Sequence, residues 1–260
     1  MNYWTELSII FANQRNYLDE LFSVYPTIPE KIRDISNEIW IKVEQYYNKK
    51  DNKNLLKELF KLELFPIKDS YVAYLKKDRT ALDRNPETVN RLCGRLYEMN
   101  LNEIWEKCSE PKETNRQIGS FFRRWLQKKT LGVDLLPLSK FKDFKKNSIL
   151  DGSDSDLLKF AKNYLNYNGD KGLDFLARFN KKFIVGEAKF LTDNGGHQNA
   201  QFEDAKRLLN DKSINAIKIG ILDGVLYIKA NSKMHNFIVT HEEKFNIMSA
   251  LVLREFLYQV

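Results

Sequence analysis

The feature that most constrains the fold of this chain is a pair of apolar runs separated by only two residues. They are LDFLARF over residues 173–179 and KFIVGEAKFL over residues 182–191. Such runs predict two buried β-strands joined as a hairpin that turns at Asn180 and Lys181. Asp174, Glu187 and Lys189 nevertheless lie within these runs. Because a buried charge is costly unless it is paired or bound to a metal, these three side chains need partners.

The spacing of the three charges predicts that they meet. Strand alternation places Glu187 and Lys189 on the same face, and a turn at Asn180 and Lys181 places Asp174 opposite Glu187 on that face. Two facing carboxylates repel each other unless a cation lies between them. Mg²⁺ is the expected ion, because the hairpin offers oxygen ligands and neither His nor Cys. A shift of one residue in register would move Asp174 to the other face.

The tripeptide Glu187-Ala188-Lys189 carries little information without this strand context. The chain contains at least six acid-x-Lys tripeptides, and the others begin at Asp51, Glu110, Asp143, Asp204 and Glu242. The alternative interpretation of the three charges is a structural salt bridge on an exposed sheet edge.

The order of predicted elements indicates an α/β fold with a mixed sheet. Residues 1–149 have mainly helical patterns, whereas residues 150–260 have the order helix, strand, strand, helix, strand, strand, helix. In the second part, Asp223-Gly224 predicts a two-residue hairpin between AIKIGIL and VLYIKA, and EKFNIMSALVLREFLYQ predicts a closing helix. We therefore expect a mainly helical region over residues 1–149 and, over residues 150–260, a core with a central mixed β-sheet flanked by helices.

Two signals mark helices in the N-terminal region. Asn85 followed by Pro86 predicts a helix start, and Thr114 with Gln117 predicts a capping box ahead of NRQIGSFFRRWLQKK. The apolar side of this second helix contains Ile118, Phe121, Phe122 and Trp125. The candidate DNA contacts are Arg116, Ser120 and Arg123 on its cationic side, together with the neighbouring Arg124. Residues 112–146 include ten basic and three acidic side chains. This excess predicts a surface that contacts DNA phosphates, with a solvated helix face as the alternative.

A polar segment, TDNGGHQNAQ, directly follows the second hairpin strand. Its glycines permit close backbone approach at a helix start, and its amide and imidazole groups could bind bases or phosphates. The candidate DNA contacts here are Asn194, His197, Gln198, Asn199 and Gln201. The alternative is a glycine turn with ordinary N-cap residues.

Charge and cysteine content limit the class of protein. The 42 Lys and Arg outnumber the 35 Asp and Glu, and the net charge of +7 favours a polyanionic partner. Two cysteines without zinc-ligand spacing argue against a disulfide framework or a structural zinc. The N-terminus acquires charge too early for a signal peptide, and no run of about 18 apolar residues is present. We therefore expect a cytoplasmic protein with no membrane partner.

Asp174 and Glu187-Ala188-Lys189 on an apolar strand resemble the motif of the PD-(D/E)XK nuclease superfamily, and the surrounding sequence is similar to type II restriction endonucleases. The resemblance covers residues 150–260. It extends to ETNRQIGSFFRRWL, which is similar to a segment that precedes the core in some of these enzymes. The sequence departs from the motif at Gly172-Leu173, where the family has a proline.

This resemblance implies that residues 1–149 are a DNA-binding or dimerisation region and that residues 150–260 are a restriction-endonuclease-like catalytic core. It also implies a reaction. Asp174, Glu187 and the Ala188 carbonyl would bind Mg²⁺, and Lys189 would orient or help deprotonate the attacking water. The products would be a 5′-phosphate and a 3′-hydroxyl on double-stranded DNA. The family often takes one more acid from a preceding helix, for which the candidates are Asp154, Asp156 and Glu98.

The resemblance leaves three hypotheses for function. The first is a sequence-specific type II restriction endonuclease, expected to be a homodimer and to pair functionally with a cognate DNA methyltransferase. The second is another nuclease of the superfamily, such as a junction resolvase or a repair nuclease. The third is a non-catalytic DNA-binding protein of the same fold.

Overall fold

The computed structural model describes residues 2–14, 16–26, 32–111, 117–240 and 244–260. The chain divides into two compact units, one formed by residues 1–27 with 114–260 and the other by residues 28–113. This division differs from the predicted boundary between residues 149 and 150. It does so because two strands that precede residue 152 belong to the same sheet as the hairpin. The helices over residues 3–24 and 118–127 also pack in the same core as the hairpin. The predicted cap residue Thr114 and Arg116 lie outside the described residues.

The described helices are α1 (Tyr3–Ala12), α2 (Tyr17–Val24), α3 (Asn37–Asn48), α4 (Asn52–Leu59), α5 (Ser70–Lys77), α6 (Ala81–Arg84), α7 (Pro86–Tyr97), α8 (Leu101–Ser109), α9 (Ile118–Gln127), α10 (Leu138–Phe141), α11 (Asp154–Tyr164), α12 (Gly196–Asn210), α13 (Lys233–Thr240) and α14 (Leu253–Gln259). The strands are β1 (Asp134–Pro137), β2 (Ser148–Asp151), β3 (Phe175–Phe179), β4 (Lys182–Leu191), β5 (Ile217–Gly224) and β6 (Asn246–Met248). No helix among the described residues is long and apolar enough to cross a membrane.

The six strands form one mixed sheet in the order β1-β2-β3-β4-β5-β6. Strand β1 is parallel to β2, the pairs β2–β3 and β3–β4 are antiparallel, and β4, β5 and β6 are parallel. Helices α9 and α12 pack against β4, and α12 also packs against β5. The predicted α/β fold, a mixed sheet flanked by helices, is therefore confirmed.

The β3–β4 hairpin has the predicted register. Asn180 and Lys181 form the turn with φ values of 48° and 69°, both in the left-handed region that a two-residue hairpin turn requires. The ladder runs from Phe179 opposite Lys182 to Phe175 opposite Gly186. Strand alternation then places Glu187 on the face of Val185, a residue of the core that includes α11.

The predicted hairpin at Asp223-Gly224 is wrong. Both residues end β5, and a 3-10 turn over residues 225–227 follows instead of a strand. Asp223 is fully buried and accepts hydrogen bonds from several parts of the core, so it does not serve a surface turn. Gly224 has φ of 101°, and a Cβ there would lie 2.1 Å from the Leu191 carbonyl oxygen. Tertiary packing thus overrides the local turn signal.

The predicted closing helix is wrong in its first half. Asn246–Met248 is the edge strand β6, and the helix begins only at Leu253. Helix α1 covers this edge: the Thr5 hydroxyl donates to the Ile247 carbonyl at 2.8 Å. A contact from the other end of the chain therefore fixes a segment whose local pattern favours helix.

The unit of residues 28–113 has its own helical core. Helix α7 begins at Pro86 after Asn85, as the sequence predicts, and it buries Val89, Leu92, Cys93 and Leu96. Burial raises the pKa of both cysteine thiols, Cys93 and Cys108, to about 12. The thiols are therefore protonated and unreactive at neutral pH.

Candidate active site

The three charged residues of the hairpin form one cluster at the end of β3. The Lys189 ammonium bonds to Glu187 Oε2 at 2.6 Å and to Asp174 Oδ2. The regular ladder stops one pair before Asp174, whose N–H donates to the Gly186 carbonyl at 3.2 Å. Asp174 thus keeps one backbone hydrogen bond to β4 just before β3 begins, and its carboxylate lies beside that of Glu187. The register thus brings the two carboxylates together as predicted, and the cation between them in this structure is the Lys189 ammonium.

Burial and mutual charge perturb this cluster. Burial, followed by the charge of Asp174, raises the pKa of Glu187 to about 8. Burial also acts to raise the pKa of Asp174, but Lys189 and hydrogen bonds hold it below the ordinary value. Although burial disfavours the Lys189 ammonium, the two carboxylates raise the pKa of Lys189 above its ordinary value. If both carboxylates are ionised, they carry one more negative charge than Lys189 neutralises, and a further cation bound beside them would favour that ionised form.

The backbone of Ala188 faces the same carboxylate. Its N–H donates to Asp174 Oδ2 at 3.0 Å. Because the N–H and C=O of a strand residue point to the same side, the Ala188 carbonyl is also directed past the end of β3. Two carboxylates and this carbonyl form a set of hard oxygen donors of the kind that Mg²⁺ prefers.

This donor set is small. The described residues contain no group of three or more His, Cys, Asp or Glu side chains placed to hold a metal. Mg²⁺ commonly binds one or two protein carboxylates and takes its remaining ligands from water and substrate phosphates. The residues present therefore fit Mg²⁺ at a site that would take its remaining ligands from outside the protein.

A polar cavity of about 240 Å³ adjoins Asp174, lined by Gly119, Ser120, Arg123, Asp154 and Asp174. Helix α9 brings Ser120 and Arg123 to this cavity because its apolar side, including Phe121 and Phe122, is buried in the core. Arg123 pairs with Asp154 at 2.6 Å. The structure thus joins part of the predicted phosphate-contacting helix to the carboxylate cluster.

Comparison with known protein families identifies the family to which the chain belongs. The family model described as Tsp45I type II restriction enzyme matches residues 2–260. The chain belongs to the Tsp45I type II restriction enzyme family. It is accordingly a site-specific deoxyribonuclease that acts on DNA. No curated protein and no solved structure matches the chain.

Membership of the Tsp45I family decides between the three hypotheses from the sequence. The match supports the restriction endonuclease and gives no support to a resolvase or to a non-catalytic binding protein. Because it spans residues 2–260, it includes the helical unit as well as the sheet. The roles of individual residues stay predictions.

The three candidates for a further acidic residue of the active site have different surroundings in this member of the Tsp45I family. Asp154 lines the cavity beside Asp174. Asp156 instead caps α11, where its carboxylate accepts from the Ser153 N–H at 2.8 Å. Glu98 belongs to the unit of residues 28–113, at the end of α7. Within the unit that contains the cluster, Asp154 is therefore the candidate that lies next to it.

The segment after β4 forms the start of α12. Asn194 and His197 are exposed, whereas Asn199 donates to the Asn194 carbonyl at 3.1 Å and Gln201 bonds to His197. Gln198 is buried and its amide nitrogen donates to Thr192, which argues against a DNA contact by Gln198. The segment therefore combines the local structure of a helix start with a few side chains open to solvent.

The remaining candidate on α9, Arg124, is placed away from the cavity lining. It is exposed, and its guanidinium carbon lies 4.9 Å from the centre of the Phe121 ring.

Sequence patterns missed two residues next to the cluster. The Lys171 ammonium lies 2.6 Å from Asp204 Oδ2 and 3.7 Å from Glu187 Oε1. Neither residue carries a local signal, since Lys171 lies in a loop and Asp204 on the polar side of α12. Their contact joins positions 33 residues apart and depends on how α12 packs on the sheet.

Proposed function

We propose that this chain is a sequence-specific type II restriction endonuclease that hydrolyses both strands of duplex DNA with Mg²⁺. The observation that carries the proposal is the sharing of one ammonium by Asp174 and Glu187 across the end of the hairpin. Buried carboxylates that share a cation, next to a polar cavity lined in part by Arg123, are suited to a metal ion and a phosphate.

Asp174, Glu187 and the Ala188 carbonyl are the proposed ligands of Mg²⁺. When bound, the ion would lower the pKa of a coordinated water and stabilise negative charge on the phosphoryl oxygens. Asp154, which lines the same cavity as Asp174, is the proposed further acid. A nearby divalent cation would also favour the ionised form of Glu187, whose pKa is otherwise raised.

Lys189 is the proposed residue that orients the attacking water and offsets charge on the phosphate. Its raised pKa supports a positively charged lysine at neutral pH, which favours orientation and electrostatic stabilisation over proton removal. The water would attack phosphorus as the bond to the 3′-oxygen breaks. The products would be a 3′-hydroxyl and a 5′-phosphate.

Ser120 and Arg123 are the proposed contacts to a phosphate next to the scissile one. Their place in the cavity beside Asp174 supports this assignment. Arg124 of α9, and Asn194, His197, Asn199 and Gln201 of the α12 start, are proposed to contact DNA at greater distance from the cut. Arg116, outside the described residues, stays a proposed DNA contact.

We expect Arg123→Ala to weaken DNA binding in Ca²⁺ about tenfold, the equivalent of about 1.4 kcal/mol. The slope of log affinity against log salt should become shallower by about one unit, because one phosphate contact is lost. Fluorescence anisotropy on a duplex that contains the site, at several salt concentrations, measures both effects.

Lys182→Ala is the matched control for Arg123→Ala. It removes one exposed positive charge at the turn end of β4, away from the carboxylates. Equal losses of affinity for the two variants would mean that net charge matters and that Arg123 makes no particular phosphate contact.

A homodimer is proposed because a double-strand cut at a two-fold symmetric site requires two active sites. Helices α1 and α2 support it with exposed apolar side chains at helical spacing, Tyr3 and Ile10 on one and Leu18 and Phe22 on the other. Sedimentation distinguishes a dimer from the 30.7 kDa monomer. We also propose a cytoplasmic enzyme paired with a cognate DNA methyltransferase, whose gene would be expected nearby.

Digestion of phage DNA tests the proposed function directly. The protein with Mg²⁺ should give discrete bands whose ends carry 5′-phosphates, detectable by ligation. A smear, or cleavage confined to branched DNA, would contradict sequence-specific cutting. Methylated phage DNA that is cut as well as unmethylated DNA would contradict the pairing with a methyltransferase.

A further inference from the structure

The two carboxylate oxygens of Glu187 face two different ammonium groups. Oε2 bonds to Lys189 at 2.6 Å, and Oε1 lies 3.7 Å from Lys171. The Glu187 side chain is only 3% exposed. Since solvent cannot fix the orientation of so buried a group, its two cationic neighbours do so.

Lys171 is itself held from the other side. Its ammonium bonds to Asp204 Oδ2 at 2.6 Å, and Arg207 lies 3.7 Å from the second oxygen of Asp204. Charges therefore alternate in sign from Arg207 on the surface of α12 through Asp204, Lys171 and Glu187 to Lys189. Each of the two carboxylates in this row of charges, Asp204 and Glu187, lies between two cations.

The backbone at Lys171 is also fixed. The Tyr167 hydroxyl donates to the Lys171 carbonyl at 3.1 Å. A Cβ at the adjacent Gly172 would lie 2.6 Å from the Cβ of Asp154, so the loop passes directly against α11. Three residues later the same loop enters β3 through Asp174. Lys171 is thus held at main chain and side chain alike.

We propose that Lys171 is a positioning residue, anchored by Asp204, that sets the orientation of the Glu187 carboxylate for DNA cleavage. The inference rests on the proposed function, because it assigns a role in the same site. Lys171 acts on the reaction through Glu187 and is not itself a group that contacts the scissile phosphate.

The test compares Lys171→Met and Lys171→Arg in single-turnover cleavage of a duplex that carries the site. Loss of a group that orients a metal-binding side chain typically costs about 10- to 100-fold, so Lys171→Met should slow cleavage by that factor. The protein concentration that gives half the maximal single-turnover rate should stay unchanged. Lys171→Arg keeps a cation that can reach both carboxylates and should restore the rate to within about threefold of wild type.

Two measurements without cleavage separate positioning from other roles. DNA affinity in Ca²⁺, with its salt dependence, and the melting temperature should match wild type for Lys171→Met. A weaker affinity with a salt slope shallower by about one unit would overturn the proposal, because Lys171 would then be a phosphate contact. A fall in melting temperature that Lys171→Arg shares would also overturn it, in favour of a structural role.

Lys162→Met is the matched control. Lys162 is 41% exposed and pairs with Asp170, whereas Lys171 is 45% exposed and pairs with Asp204. The control should cleave like wild type, and equal slowing of both lysine variants would overturn the assignment to Lys171.

Asp204→Asn supplies a second variant that leaves Lys171 in place. It should slow cleavage by a smaller factor, about threefold to tenfold, because Lys171 loses its anchor but keeps its charge. A wild-type rate for Asp204→Asn would overturn the anchoring, and a wild-type rate for Lys171→Met would overturn the whole inference. If wild type itself cuts no DNA, the proposed function fails instead.

Discussion

Asp174→Asn and Glu187→Gln should each lower the rate of DNA cleavage by at least about 10³-fold. Both substitutions keep the size of the side chain and remove the negative charge that would hold the metal ion. Single-turnover cleavage in Mg²⁺ measures the loss. Specific DNA binding in Ca²⁺ should persist, because the cationic side of α9 is unchanged.

The cluster itself should survive either change. After Asp174→Asn the Lys189 ammonium still pairs with Glu187, and after Glu187→Gln it still pairs with Asp174. Neither variant leaves a buried charge without a partner, so the melting temperatures of both should lie close to that of wild type. Loss of activity would then be separable from loss of fold.

Asp170→Asn is the control for these two substitutions. It removes a carboxylate four positions before Asp174 whose side chain is 100% exposed. Its cleavage rate should equal that of wild type. A rate within about tenfold of wild type for either Asp174→Asn or Glu187→Gln would remove that residue from the proposed metal site.

The hairpin that carries these residues is predictable from sequence because its determinants are local. Two apolar runs and a two-residue turn set both strands and their register, and the register sets which side chains meet. The cluster of Asp174, Glu187 and Lys189 therefore follows from spacing. Its neighbours do not: Arg123, Lys171 and Asp204 reach it from α9, a loop and α12, and their contacts depend on tertiary packing.

The C-terminal part of the sheet shows the opposite case, in which a local signal misleads. Asp223-Gly224 has the residues of a hairpin turn, yet the core of the protein uses Asp223 as a hydrogen-bond acceptor. Its donors come from α2 and from the residues after β6, far away in sequence. No window around residue 223 contains that information.

Asp223→Ala should lower the free energy of unfolding by about 3–5 kcal/mol. The fully buried carboxylate accepts from Tyr17 at 3.2 Å, Tyr25 at 3.1 Å, Ser249 at 2.5 Å and the Ala250 N–H at 3.1 Å. Alanine leaves these four donors without their acceptor and separates α2 from the end of β5. Urea unfolding followed by circular dichroism measures the loss.

Asp134→Ala is the comparison for Asp223→Ala. It removes a carboxylate that pairs with Lys129, and both side chains of that pair are largely exposed. Its effect should stay within about 0.5 kcal/mol. An Asp223→Ala variant as stable as Asp134→Ala would mean that the buried network adds nothing to the stability of the fold.

The contribution of Asp223 to the free energy of unfolding should also depend on pH, and the burial of its carboxylate determines whether that contribution rises or falls with pH. Burial raises the pKa of Asp223 from 3.8 to about 6, although its hydrogen bonds act to lower it. Between these values the folded chain holds a proton that the unfolded chain has released, so stability falls by about 3 kcal/mol as pH rises through that window. An Asn side chain does not titrate in this range. The difference in free energy of unfolding by which wild type exceeds Asp223→Asn should therefore shrink from pH 4 to pH 7. An advantage that grows over this range would mean that the four donors outweigh burial and keep Asp223 ionised.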